Sequence, residues 1–251
     1  MVSVIIPLVR INEYIRESVP HLLALDYFDF EIIILPNEVR PEDVAEFSDP
    51  RIRLVASGAP SPAAKRNLGA RAARGDILAF LDDDAYPRSD WLKNAVRHFS
   101  DPAIGAVGGP AVTPPQDPFG AQLSGAVYTS WFGSGVFSYR YWPGKKIMDI
   151  DDFPSVNLLV RKEVFAAVNG FNADFWPGED TKLCLDIVGT GKRIRYDPEV
   201  FVWHHRRPSL GKHFIQAANY ARHRGYFMRL FPRTSRRLSY MLPSFLVLFF
   251  L

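Results

Sequence analysis

Cysteine is nearly absent. Among 251 residues only Cys184 carries a thiol, so no intrachain disulfide can form and a cysteine-based metal site is excluded. That composition fits a reducing compartment. Internal repeats and low-complexity tracts are missing as well, which removes repeat architectures and disordered linkers. No apolar run reaches the roughly 20 residues that a bilayer-spanning helix needs. The opening MVSVIIP lacks a basic leader, so structure rather than a signal peptide is expected there. Acidic residues are missing from one long segment. Between His204 and Arg237 lie nine of the 30 Lys and Arg and no Asp or Glu, while the rest of the chain holds all 27 acidic residues. After Arg237 the chain reads LSYMLPSFLVLFFL, without charge.

Apolar residues make up 47% of the chain, enough for a substantial core. VSVIIP (2–7) reads as a strand buried on both faces, and Asn12 as the cap of a helix running to about Leu25. FEIIILPN (30–37) and IRLVAS (52–57) read as further strands. Ser61, Pro62 and Gly75 punctuate a helix as N-cap, first helical residue and stop. DILAFLD is a fourth strand, RSDWLKNAVRHF a helix and AIGAVGGPAV another strand. This alternation predicts a doubly wound α/β unit. Residues 114–152 lack periodicity and are read as loops with one short helix near 121–131. A strand (SVNLLVRK) and a helix (EVFAAVNG, stopped by Gly170) follow, then a helix beginning at GED, strands RIRYDP and VFVWHH, and an amphipathic basic helix over 209–230.

The chemistry concentrates in three places. ILAFLDDDAYP runs a buried strand into Asp82, Asp83 and Asp84. Ligands of open α/β sheets bind outside the carboxyl ends of strands. Two carboxylates ~4 Å apart repel by about 4 kcal/mol at an effective dielectric of 20, so the cluster is costly unless a cation fills it. Oxygen ligands favour Mg2+ or Mn2+. If strand geometry persists, Asp82 and Asp84 share a direction, one for a metal and one for a ribose hydroxyl; the plain alternative is a solvated turn. Glu179 and Asp180 open a helix, where the dipole alone would favour them, but a carboxylate there can also serve as a general base. His204 and His205 end a short strand, where a histidine is either structural or completes a carboxylate metal site.

Together VSVIIP, AAKRNLGARAARGDILAFLDDDAYP and NLLVRKEVFAAVNGFNADFWPGEDTKLCLDIVGTGKRIRYDPEVFVWHHRRPSL resemble, in order and spacing, the inverting metal-dependent glycosyltransferases of family 2 with the GT-A fold. The resemblance covers about residues 2–230. It implies a Rossmann-like, mixed, mostly parallel sheet flanked by helices. It implies an Asp-X-Asp motif with Asp82 on the nucleoside, Asp83 as the variable middle residue and Asp84 on the metal, Mn2+ or Mg2+, with His204 joining the metal shell. Pro7, Arg10, Asn37 and Glu38 would surround the nucleoside, and Lys65, Arg66 and Asn67 would close over the nucleotide. Asp180 would be the catalytic base, with Glu179 beside it contacting the acceptor. The turn LPNEVRPED departs from the usual acidic, Gly-Ser-containing turn. Gln216 and Tyr220 stand where processive synthases carry Gln-X-X-Arg-Trp, with Asn219 in place of the Arg, which points to addition of one or a few sugars. Arg222 or Arg224 would then supply the charge near the diphosphate.

Residues 1–208 are therefore expected to form the catalytic domain, 209–237 a basic interfacial helix and linker, and 238–251 an apolar anchor or the start of a transmembrane helix. Trp176, Gln216 and Tyr220 are expected on the acceptor side, where Trp131, Phe132, Phe137, Tyr139, Tyr141 and Trp142 either line the site or tuck against the core. Basic and apolar segments side by side imply an anionic membrane surface, with the catalytic domain on the cytoplasmic face, rather than nucleic acid. The expected partners are a nucleotide sugar, best guessed as GDP-mannose, and a lipid-linked glycan or polyprenyl-type acceptor. UDP-sugars and dTDP-rhamnose are the alternatives. A sugar-nucleotide or lipid-binding module without turnover, and a phosphoryl hydrolase, are the rival readings. The hydrolase lacks its expected residue, since Tyr86 stands fifth in the motif.

Overall fold

The computed structural model of the chain describes residues 1–58, 61–238, 240 and 241. In chain order the elements begin β1 (Val2–Pro7), α1 (Glu13–Leu23), β2 (Phe30–Leu35), α2 (Pro41–Glu46), β3 (Ile52–Leu54) and α3 (Pro62–Ala72). Then come β4 (Ile77–Leu81), β5 (Ala85–Pro87), α4 (Trp91–Val96), β6 (Ile104–Gly108), β7 (Ala111–Val112), α5 (Phe119–Thr129) and α6 (Trp131–Ser134). The remainder is β8 (Met148–Ile150), β9 (Asn157–Arg161), α7 (Lys162–Ala167), α8 (Glu179–Gly189), β10 (Arg193–Tyr196), β11 (Val202–His204), α9 (Leu210–Leu230) and α10 (Pro232–Ser235).

The main sheet has the order β3-β2-β1-β4-β9-β6-β10-β8. Its two faces follow from side-chain alternation along the strands. Val4, Ile6, Ile32, Ile34, Ala79 and Leu81 point to the face covered by Ile15, Val19 and Leu22 of α1 and by Trp91 and Leu92 of α4. Ile5, Ile33, Leu35, Leu78 and Phe80 point to the other, covered by Ala63 and Ala70 of α3, Phe165 of α7 and Leu183 and Ile187 of α8. Each of the Val, Leu, Ile and Phe side chains among these contributes about 1.5–3 kcal/mol by leaving water. Asn12 caps α1 by accepting the Ile15 N–H at 3.0 Å, and Ser61 caps α3.

The expected doubly wound pattern holds from β1 through β4, whose neighbouring strands are parallel. It breaks at β9, which runs antiparallel between β4 and β6, so the sheet is mixed and mostly parallel, as the GT-A expectation required. Strands two and three end earlier than read, at Leu35 and Leu54, because the chain turns at Pro36, whose carbonyl takes the Ser57 N–H. Gly75 does not cap α3. It is needed because a Cβ there would stand 2.8 Å from Met1 O and Ser3 N. AIGAVGGPAV is not one strand: β6 belongs to the main sheet and β7 to a second, β5-β11-β7. The break falls at Gly109, where a Cβ would lie 1.7 Å from Val200 O. The helix expected near 121–131 is α5, joined by α6 and the edge strand β8.

Asn157, fully buried on β9, locks the two sheets together. Its Oδ1 accepts the Trp91 indole N–H at 2.8 Å, and its Nδ2 donates to Gly109 O at 2.8 Å and Val200 O at 2.7 Å. Those carbonyls precede β7 and β11, so this amide sets where His204 stands. Among the described residues no helix is long and apolar enough to cross a membrane. Most of the expected tail, residues 242–251, lies outside the described residues. Asn157→Ala would leave an indole N–H and two carbonyls unpaired, each costing about 1–3 kcal/mol. We expect a loss of about 3 kcal/mol or more, read as a lower urea midpoint with unchanged slope; an unmoved midpoint would exclude the locking role.

Candidate active site

A cleft of about 480 Å3 opens at the carboxyl end of β1. Its walls include Pro7, Arg10, Asn12, Asn37, Lys65 and Asp83. Lys65 is buried and donates from Nζ to Leu8 O at 2.6 Å and to Asn37 Oδ1. Burial lowers its pKa. Asn12 does two jobs, since its Nδ2 also donates to Asp83 Oδ2 at 2.6 Å. Burial, with Asp84 and Asp82 adding to it, pushes Asp83 up to about 6 against the Asn12 hydrogen bond. Glu38, expected here, is exposed beyond the cleft wall.

The three aspartates do not continue the strand. They form a turn between β4 and β5, closed by Ala85 N–H on Asp82 O at 3.1 Å. That turn still brings Asp82 and Asp84 together, because β11 pairs with β5 and sets His204 opposite Ala85. One ligand atom each from Asp82, Asp84 and His204 lies within 4.8 Å of the others. Two carboxylates and an imidazole suit Mn2+ or Mg2+ in an oxygen-rich site, so the residues fit the expected ion. Asp82, expected on the nucleoside, thus stands with the other two. His204 Nε2 is 3.1 Å from Asp84 Oδ1, and the His205 N–H donates to Asp84 O at 2.9 Å. Burial pushes the Asp84 carboxyl up, but His204, Arg207 and Arg206 together hold it below its ordinary value.

The expectation that only an ion could make this cluster tolerable needs correcting, since each aspartate has a partner in its own chain. For Asp82 it is Arg66, whose Nη2 donates to Oδ1 at 2.6 Å while its Nη1 donates to Glu179 Oε1 at 3.1 Å. Arg66, expected over the nucleotide, is buried and joins the end of β4 to the start of α8. Asn67, its neighbour, spends both ends of its amide on the backbone of Phe171, at 2.7 and 2.9 Å. Gly69 lets α3 lie flat on β1, where a Cβ would come 2.5 Å from Ile5 Cγ2.

Asp180 follows Glu179 in the first turn of α8 and accepts the Thr181 N–H at 2.7 Å. Burial, Glu179 and Asp152 push it up to about 7, opposed by that N–H and by Arg224. The charge of Asp180 reaches the Tyr220 phenol on α9, which burial raises and Gln216 lowers. Trp176 and Tyr220 are each about half exposed, at 52% and 51%. Among the other aromatics, Trp131, Phe132 and Trp142 are exposed, whereas Phe137 and Tyr139 pack into the body, Tyr139 edge-on to Tyr196 at 4.8 Å. Tyr141 stacks on Tyr128 at 4.8 Å, and the Arg206 guanidinium lies beside the pair, 5.2 and 5.4 Å from the Tyr141 and Tyr128 ring centroids. Arg206 Nη1 in turn meets His204 Nδ1 at 2.8 Å. Arg222 reaches Asn219, and Arg224 is held by Asp152.

The sequence reading missed Asn12 as a site residue, Arg206 and Asp152. Arg206 lies past the end of β11 at His204, so strand alternation gave no sign of it. Nothing in the pattern around Asp152 marked it.

A mixed, mostly parallel sheet with an Asp-Asp-His group at its rim, joined through Arg66 to the start of α8, has the GT-A architecture. A profile described as Glycosyl transferase family 2 matches residues 3–166, and the chain belongs to that family. It is 31% identical over 159 residues to the pre-mycofactocin glycosyltransferase of Mycobacterium tuberculosis, covering 63% of this chain and 33% of that one; it spans about a third of that relative's length. It is 21% identical over 242 residues to the dolichyl N-acetyl-α-D-glucosaminyl phosphate 3-β-D-2,3-diacetamido-2,3-dideoxy-β-D-glucuronosyltransferase of Methanococcus voltae, covering 91% of this chain and 74% of that one. A mannosyltransferase of Pyrobaculum calidifontis, solved with GDP-mannose and Mn2+, superposes with a TM-score of 0.66 at 21% identity, over 91% of this chain and 64% of that one. That last likeness is one of fold.

Arg66→Met would strand Glu179, whose side chain is 7% exposed. Breaking a buried pair costs about 3–5 kcal/mol, so the urea midpoint should fall accordingly. Arg66→Lys should recover only part, because an ammonium cannot fork between two carboxylates. Equal stability of all three chains would show that the bridge contributes nothing.

Proposed function

We propose that the chain moves a hexose from a nucleotide sugar to an acceptor hydroxyl with inversion at the anomeric carbon. The observation that carries this reading is the Arg66 bridge. It holds the turn bearing Asp82 and Asp84 to the helix start bearing Asp180, so a donor-side group and an acceptor-side carboxylate share one rim. Asn37, Lys65, Arg10 and Asp83 receive the nucleoside. Mn2+ or Mg2+, held by Asp84, His204 and Asp82, would supply positive charge to the departing diphosphate. Asp180 takes the proton of the acceptor hydroxyl as its oxygen attacks from the face opposite the leaving group, with no covalent sugar–enzyme intermediate. Glu179, fixed by Arg66, keeps that helix start in place. Trp176, Gln216 and Tyr220 offer the acceptor a half-exposed aromatic and amide surface.

GDP-mannose is the preferred donor, supported by the ligand of the Pyrobaculum neighbour. A lipid-linked glycan is the preferred acceptor, supported by the name of the Methanococcus relative. The acid-free segment from His204 to Arg237 supports a location on an anionic membrane surface, with the site facing the cytoplasm.

The test is a panel of GDP-, UDP- and dTDP-sugars with Mn2+ or Mg2+, read by thermal shift and by nucleoside diphosphate release. Stabilisation without any release would favour the binding-module reading, and no stabilisation by any donor would remove the transferase reading. Asp180→Asn should retain donor-induced stabilisation and lose transfer by about 10²–10⁴. Because a base must be deprotonated and Asp180 is raised to about 7, transfer should fall as pH drops below about 7. A rate that stays flat down to the ordinary carboxylate range would assign the base elsewhere.

A further inference from the structure

Asp152 lies in the loop ahead of β9, and its carboxylate is 2% exposed. It nevertheless receives four side chains. Thr181 Oγ1 donates to Oδ1 at 2.9 Å. On Oδ2 converge Tyr240 Oη at 3.1 Å, Arg224 Nη1 at 3.3 Å and Arg140 Nη2 at 3.4 Å, the last also donating to the Asp152 carbonyl at 2.6 Å. Burial would raise this carboxyl, but Arg140, Arg224, Thr181 and Tyr240 hold it at about 2, so it is an anion at working pH.

Two of these partners come from the far end of the chain. Arg224 is on α9, and Tyr240 lies beyond α10. The Arg224 guanidinium sits 4.3 Å over the Tyr240 ring and 3.4 Å from Ser235 Oγ, while Arg237 reaches the neighbouring Asp151. The third partner, Thr181, sits one residue after Asp180. Its hydroxyl binds Asp152 and its N–H binds Asp180. One threonine therefore connects the carboxylate proposed as base to the carboxylate that anchors the C-terminal helices.

We propose that Asp152 is the positioning residue for Asp180: through Thr181 it fixes the first turn of α8, and through Arg224 and Tyr240 it makes docking of the C-terminal helices part of acceptor activation. The inference rests on the reading of Asp180 as base. It makes α9 and α10 a working part of the site.

The charged and titratable groups facing Asp180 are Glu179 beside it, Cys184 one turn on, Arg66 from α3, Arg224 and Tyr220 from α9, and Asp152. Removing an anion from this set and removing a cation should move the acid limb of the transfer rate in opposite directions. Asp152→Asn should shift the limb to lower pH and Arg224→Gln to higher pH, a signature that a merely structural role would not produce. Thr181→Val removes the hydroxyl without altering charge. It should lower kcat by between about tenfold and a hundredfold, the scale of a misplaced reacting group, with KM for the donor and the limb unmoved; Thr181→Ser should restore kcat. Donor-induced thermal shift should survive in each variant, showing that the nucleotide half is folded. Should Asp152→Asn fail to fold, Arg224→Gln and the Thr181 pair carry the test alone. An acid limb that does not rise in Arg224→Gln, or Thr181→Val turning over at the unaltered rate, would overturn the role of Asp152 and leave the functional reading standing. An unaltered chain that transfers no sugar from any donor would overturn both.

Discussion

The buried guanidinium of Arg66 is the constraint on which the site depends. Its two ends reach carboxylates from elements more than ninety residues apart in sequence, Asp82 after β4 and Glu179 at the start of α8. Taking such a triad out of water is expensive and is weak evidence for stability by itself. Its value is positional. Arginine presents donors in a fixed plane, so two carboxylates held by one guanidinium have a set separation and orientation. Asn67 reinforces this by fixing the loop that leads to α8, and Gly69 by letting α3 settle against β1.

The same logic explains how three adjacent aspartates coexist. Each is assigned to a different neighbour: Asp82 to Arg66, Asp83 to Asn12, Asp84 to His204. These partners come from α3, the N-cap of α1 and β11, so the repulsion within the turn becomes attraction to three separate elements. The cluster is satisfied by the chain while Asp82, Asp84 and His204 keep their ligand atoms within 4.8 Å of one another. Arg206, beside the stacked rings of Tyr128 and Tyr141, adds a further cation next to His204. Positive charge close to an acidic group suits a site built for a phosphorylated ligand, in which protein carboxylates and ligand phosphates must be balanced together.

Much of this could be read from residues alone, and the parts that could not share a cause. The largely apolar six-residue runs of β1 and β2, each interrupted by one polar residue, the caps Asn12 and Ser61, and the helix opening at Glu179 are local signals, and they read correctly. A strand buried on both faces carries no mark of direction, so the antiparallel insertion of β9 was invisible. The strands β5, β7 and β11 are only two or three residues long, too short to show a period, yet they bring His204 to Asp84. The roles of Arg66, Asn67 and Asp152 depend on contacts across large sequence separations. For Arg66 and Asn67 the residue type was conspicuous but its partner was not; for Asp152 neither was.

The two halves of the site differ in how they are built. The half proposed for the nucleotide rests on β1 and β4, whose side chains are locked between two apolar layers, and on α3, which covers one face of the sheet. The half proposed for the acceptor is made of side chains that are partly exposed and come from later elements: Trp176 before α8, Gln216 and Tyr220 on α9. A rigid donor side and an adaptable acceptor side suit a scaffold that keeps one chemistry while changing what it glycosylates, because loops and peripheral helices tolerate change that a two-faced core does not. Asp180 stands at the boundary. It is tied to the rigid half through Arg66 and Glu179, and to the peripheral half through Thr181 and Asp152. As the proposed base, a carboxylate at that boundary can be held in register with the donor while the surface that presents the hydroxyl is free to vary.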